Sequence, residues 1–250
     1  MRRRVVGRRI AVAVVLLALG AVVPSDARRR TPDRQAGSVT VARLRWGPDG
    51  GGSRFGFGAA WNHVYPRAEQ HLSRIARELT LMDIRTDGDL IVALDDPALL
   101  EYPIAFMWEP GFWRLTDGEA ASFRAYLLKG GFAVFEDFDG PEQWRVFEAQ
   151  MRRVLPDHRL VELDRGHPIF DSFFRIEDIE AIRHPMSGLL PRYFGIFEGN
   201  DPARRLIAVS NFDNDVPEYW EWSGQGMFPF DTSNEAYKLG VNYLIYGLTH

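Results

Sequence analysis

The chain has 250 residues, 46% of them hydrophobic, a formal net charge of −4 and no cysteine. That size allows a substantial core, and ordinary hydrophobicity without an internal repeat suits one α/β domain. Lack of cysteine excludes disulfides, thiolate metal sites and cysteine nucleophiles, and the acidic balance argues against a nucleic-acid partner, which needs a basic face.

Arg2, Arg3, Arg4, Arg8 and Arg9 open the chain, Ile10 to Val23 form an apolar run, and Ser25-Asp26-Ala27 offer a cleavage site. This is the layout of a secretion signal over residues 1–27, and fourteen apolar residues are too few to span a bilayer comfortably. Export to the periplasm or the outside is expected, with an inner-membrane anchor through residues 10–23 as the alternative. Arg8-Arg9 reads as ordinary charge before such a signal rather than as a twin-arginine route. Cleavage takes away five arginines and Asp26, leaving 25 basic and 33 acidic side chains and a net charge of −8.

Residues 28–38, polar with Pro32 and Gly37, read as a flexible linker to a domain over residues 39–250. Val39 to Trp46 predicts the first strand. Gly47 to Ser53 follows it, but the Gly-x-Gly-x-x-Gly and Walker spacings are missing, so a surface loop is the better reading. Pro66 opens a helix to Leu79 with Leu72, Ile75, Ala76 and Leu79 on one face. Leu90 to Leu94 is the next strand, and Asp95-Asp96-Pro97 a turn with a capping acid.

Tyr102 to Gly140 is the best punctuated stretch. Ile104 to Trp108 is wholly apolar, as in a strand covered on both faces, and Glu109-Pro110-Gly111 stops it. Thr116-Asp117-Gly118-Glu119 is a capping box, Ala120, Phe123, Leu127 and Leu128 recur at helical spacing, and Gly130-Gly131 supplies the stop. Phe132 to Phe135 is the following strand, with Glu136, Asp137 and Asp139 at its carboxyl end. A strand, crossover helix and strand of this length make a right-handed parallel unit, and ligands bind beyond the carboxyl ends of such strands. Glu109 and the acids from 136 to 139 are thereby expected in one crevice.

Pro141 to Val154 predicts a helix with Trp144, Phe147, Met151 and Val154 inside, and Leu160 to Leu163 a strand. His167 precedes Pro168 and lies in a loop, as a metal ligand, a general base or a residue that orients the loop. Tyr193 to Phe197 and Leu206 to Ser210 read as a hairpin across Glu198 to Pro202. Asn211 to Asp215 and Tyr219 to Trp222 then form a polar, aromatic loop where ligand contacts are expected, without the spacing of a calcium-binding loop. Glu235 to Leu248 predicts the closing helix.

Val41 to Trp46, Tyr102-Pro103, Glu109-Pro110-Gly111, Leu115-Thr116, Gly130-Gly131-Phe132, Asp137 to Gly140, His167 to Phe170, Asn211-Phe212, Trp220-Glu221-Trp222 and Leu239 to Tyr243 together resemble the bacterial domain of unknown function 4159, over nearly all of Val39 to His250. The resemblance implies a fold similar to class I glutamine amidotransferases, a flavodoxin-like, mostly parallel sheet between helices. The amidotransferase cysteine is missing, and no Gly-x-Ser-x-Gly elbow replaces it.

Three functions fit these residues. The first is an exported, non-catalytic binding or scaffold module that holds a glycan or a cell-envelope protein. Trp46, Glu109, Asp137, Asp139, His167, Asn211, Asp213 and Trp220 are its candidate contacts, with Trp108, Trp113 and Trp222 as further surfaces for stacking on sugars. The second is a hydrolase using a divalent cation held by Glu109, Asp137, Asp139 and His167, a ligand set suited to magnesium, manganese or calcium. The third is a glycosidase that works with two of those acids.

Overall fold

The computed structural model describes residues 38–47, 59–63, 65–86 and 90–250. The expected leader, the linker before Ser38 and the glycine-rich loop beyond Gly47 lie outside them. Among the described residues no helix is long and apolar enough to cross a membrane.

Seven strands form one sheet in the order β2-β1-β3-β4-β7-β6-β5. They are β1 (Ala42–Arg45), β2 (Ile91–Ala93), β3 (Ile104–Trp108), β4 (Phe132–Phe138), β5 (Val161–Glu162), β6 (Arg192–Phe197) and β7 (Leu206–Phe212). β1 pairs in parallel with β2 and β3, β3 with β4, and β4 with β7. β6 runs antiparallel to β7 and β5 to β6, which confirms the expected hairpin. The arrangement is the flavodoxin-like one expected, with an antiparallel edge.

Alternation along the strands sends side chains into two cores. On one face Phe132 and Val134 of β4 meet helices α1 (Arg67–Leu79), α4 (Val216–Glu221) and α5 (Phe230–Thr249) through Leu72, Trp220 and Leu239. On the other, Ala133 and Phe135 meet α2 (Asp117–Leu128) and α3 (Gly140–Val154) through Phe123 and Phe147. Trp113 joins this second core, its ring stacked on Phe147 at 5.9 Å and edge-on to Phe135 at 5.7 Å.

The punctuation read from the sequence is present. Thr116 and Glu119 form the reciprocal capping box, and the other oxygen of the Glu119 carboxylate accepts from the Gly47 amide at 2.7 Å. One carboxylate thus ties the start of α2 to the residue just beyond β1. Gly130 takes φ 115°, the conformation that ends α2. Asp96 caps its turn by accepting from the Ala98 amide.

Three elements differ from expectation. β4 continues to Phe138, its register shifting between Phe135 and Phe138, so Glu136 and Asp137 are strand residues rather than a loop beyond it. Val216 to Glu221, expected as loop, is helix α4, because Asp215 accepts from the Glu218 amide and Pro217 sits in the first turn. The last helix begins at Phe230, not Glu235, directly after Pro229.

Candidate functional site at the sheet switch point

From β1 the chain steps out to β2 on one side and then crosses back over β1 to β3 on the other, so the direction of winding reverses between β1 and β3. Such a reversal opens a crevice at the carboxyl ends of the two flanking strands, where open α/β sheets bind ligands. The described part of the connection after β1 contains a short 3-10 turn (Ala60–Asn62) followed by His63. β3 runs into Glu109, β4 contains Asp137 and β7 runs into Asp213. These three acids take φ of 53°, 60° and 57°, a left-handed conformation uncommon outside glycine. Backbone of this kind costs of order 1–3 kcal/mol per residue and concentrates at functional sites.

The side chains converge. His63 Nδ1 lies 2.7 Å from Asp137 Oδ2 and 3.5 Å from Glu109 Oε1. Asp215, at the start of α4, completes a set in which one donor atom each from His63, Asp137 and Asp215 lies within 4.8 Å of the other two. The acids are buried, while the His63 side chain is 47% exposed and forms the open side of the cluster. Behind them Glu136 is fully buried, with Oε1 accepting from Asn211 Nδ2. Glu218, one turn into α4, accepts from Trp222 Nε1 at 2.9 Å.

The electrostatics follow from crowding carboxylates out of water. The hydrogen bond to Asp137 raises the His63 imidazole above its ordinary value, against a smaller opposing effect of burial. Burial pushes Glu136 and Asp215 well above the carboxylate range, and the neighbouring Asp137 charge pushes the same way. Burial also raises Glu218, opposed by the charge of His63. One imidazole with two carboxylates at this spacing suits a divalent cation such as magnesium or manganese, which prefers oxygen donors and accepts imidazole.

The expected contacts divide accordingly. Glu109 and Asp137 come together as anticipated. Asp139 lies just beyond β4 and accepts from Gln143 Nε2 at 2.8 Å, with His184 Nε2 at 3.7 Å. Asp213 Oδ1 accepts from the Gly140 amide at 2.9 Å, bracing the turn into α3. Asn211 is buried, donating to Glu136 and accepting from Tyr243 Oη at 2.7 Å.

Trp46 and Trp220 are not ligand surfaces. Both are fully buried, and their indole nitrogens donate to Trp108 O and Ala236 O. Trp108 and Trp113 are buried as well, so only Trp222 of the expected aromatic contacts keeps a partly exposed face. His167 is not part of the acidic crevice. Its ring packs on Tyr246 and on Phe197, the last residue of β6, which pairs with Leu206 at the beginning of β7, the end of the sheet away from the acids. Its Nδ1 accepts from the Ile169 amide at 3.2 Å, so it orients its loop, the third of the roles open to it.

The sequence reading missed His63 and Glu218, and it had Asp215 only as the end of a loop expected to contact ligand. The rule that singled out Glu109 and Asp137, position at the carboxyl end of a parallel strand, points to the connection after β1 but not to His63 within it, which lies well beyond Arg45. Asp215 was visible as a helix cap two residues before Pro217.

The family described as a domain of unknown function, DUF4159, matches residues 40–248. No curated protein matches the chain.

Proposed function

The chain belongs to the DUF4159 family, a domain of unknown function, and from the site it builds we propose that it is a divalent-cation-dependent hydrolase with His63, Asp137 and Asp215 as the ion's ligands. One observation carries the reading: donor atoms from three separate elements, the connection after β1, the end of β4 and the start of α4, meet within 4.8 Å of one another. A bound ion supplies Lewis acidity and makes a coordinated water acidic. Glu109, 3.5 Å from His63 Nδ1, stands where it can take that water's proton as the oxygen bonds to the electrophile. Glu218, whose carboxyl burial keeps protonated to higher pH, can return a proton to the leaving group.

The basic start, apolar run and small-residue site before residue 28 support export, so the substrate is proposed to be a cell-envelope component. A non-catalytic module that grips a ligand through the same ion is the second reading, supported by the lack of both cysteine and a Gly-x-Ser-x-Gly elbow. Burial of four tryptophans removes stacking surfaces that favoured a sugar-binding module.

Residues 28–250 melted with EDTA and then with manganese test the ion. A ligand at a hundredfold over its dissociation constant adds about 2.7 kcal/mol to the folded state, a rise of roughly 5–10 °C. At the same manganese concentration the rise should fall to about half or less in His63→Ala and in Asp137→Asn; a wild-type melt indifferent to manganese, magnesium, calcium and zinc overturns the proposal. Turnover of p-nitrophenyl phosphate, acetate or glucoside by the manganese form separates hydrolase from binding module.

A further inference from the structure

Arg43 is a charged residue in the middle of β1 and is fully buried. Its Nε donates to Glu69 Oε1 of α1 at 2.6 Å, and Nη2 lies against the same oxygen. Its Nη1 donates to two carbonyls, Trp61 O at 2.7 Å and His63 O at 2.9 Å. The guanidinium carbon also lies over Trp108, 3.6 Å from the ring centroid, and Glu109 is the next residue.

Burying such a pair brings little net stability, since an apolar pair of equal volume often does as well or better. Its geometry offers something an apolar pair cannot. The connection after β1 has no regular strand partner at residues 61 to 63, and two of its carbonyls are held by one planar group whose other edge is fixed by Glu69. The same group lies over the ring of Trp108, the last residue of β3. The turn that carries His63 and the strand end that presents Glu109 are therefore clamped to a single side chain.

We propose that Arg43 is a positioning residue for the cation site, setting the His63 turn against the end of β3 so that the imidazole meets Asp137 and Glu109. The inference rests on the ion-binding reading for its functional meaning, but its structural content can be tested without the ion. Lysine keeps the charge beside Glu69 yet offers one donor atom in place of a rigid fork, so it cannot hold both carbonyls and stack on the indole.

The test uses the full chain as wild type, Arg43→Lys, and the paired replacement Arg43→Met with Glu69→Leu, which removes both members of the ion pair together. Manganese affinity by calorimetry and the His63 Nδ1 signal in imidazole nitrogen spectra of the cation-free protein are read for each. The expected result is at least a tenfold loss of manganese affinity and a displaced His63 signal in both variants, with cooperative melts retained. Should the paired variant not fold, Arg43→Lys decides. Wild-type affinity and an unmoved His63 signal in the variants overturn the proposal and leave the ion site standing. A wild type that binds no manganese while the variants displace the His63 signal overturns the ion reading and supports the clamp.

Discussion

His63 and Asp137 are 74 residues apart in the chain and hydrogen-bonded at 2.7 Å. The contact joins the connection after β1 to the end of β4, across the intervening strand β3. If both residues hold one ion, removing either removes most of what the other contributes. His63→Ala and Asp137→Asn should each weaken manganese binding at least about tenfold, and the double variant should lose far less than the sum of the two. A double-mutant cycle by calorimetry checks this. Strict additivity would mean two independent residues.

Glu109 joins two unfavourable features, a left-handed backbone at φ 53° and a buried carboxyl group. Asparagine tolerates that backbone and carries no charge to desolvate. Glu109→Asn should therefore raise the melting temperature while it abolishes turnover, as when a site is maintained at a cost to the fold. A variant less stable than wild type in urea titrations would contradict the idea that Glu109 is kept against its stability cost.

His167 gives a pH dependence of known sign. Burial holds its imidazole below the ordinary 6.5, so the unfolded chain takes up a proton first as the pH falls. Its contribution to stability is complete above pH 6.5 and is lost as the pH drops through the lower folded value. Protonation also takes away the lone pair that accepts from the Ile169 amide. Asparagine preserves that acceptor and does not titrate. His167→Asn should lose less stability than wild type between pH 7 and pH 5, by urea midpoints at each pH, and parallel curves would refute the assignment.

The start of α2 provides a local check on the fold. Thr116→Ala removes the oxygen that accepts from the Glu119 amide at 3.1 Å and should cost about 1 kcal/mol, with the site unaffected. Chemical denaturation measures it. A change in manganese affinity would show that α2 reaches the site.

Much of the sheet is legible in the sequence because its signals are local. Pro103 and the Glu109-Pro110-Gly111 stop bracket β3, while the capping box and Gly130 bracket α2. Crossover handedness then places Glu109 and Asp137 side by side. What is not legible is tertiary. His63 lies in Ala-Trp-Asn-His, a run without periodicity, and its hydrogen bond to Asp137 and the hold of Arg43 on its backbone are contacts between distant parts of the chain. His167 is a histidine in a conspicuous loop, but although β5 before it points the same way as β4 and β7, the chain folds back and lays the ring against Phe197 at the other end of the sheet. The tryptophans mislead because indoles at strand ends suit ligand stacking and core packing equally well, and Trp46 and Trp220 each found a backbone carbonyl indoors.

The two outermost strands are the shortest in the sheet, three residues in β2 and two in β5. An edge that brief exposes too few amides and carbonyls to template another chain. Folded molecules therefore have little means of adding to one another strand by strand, and concentrated solutions should stay free of fibrils. A protein that docks on this domain has to recognise side chains and shape, because the backbone ladder ends almost where it begins.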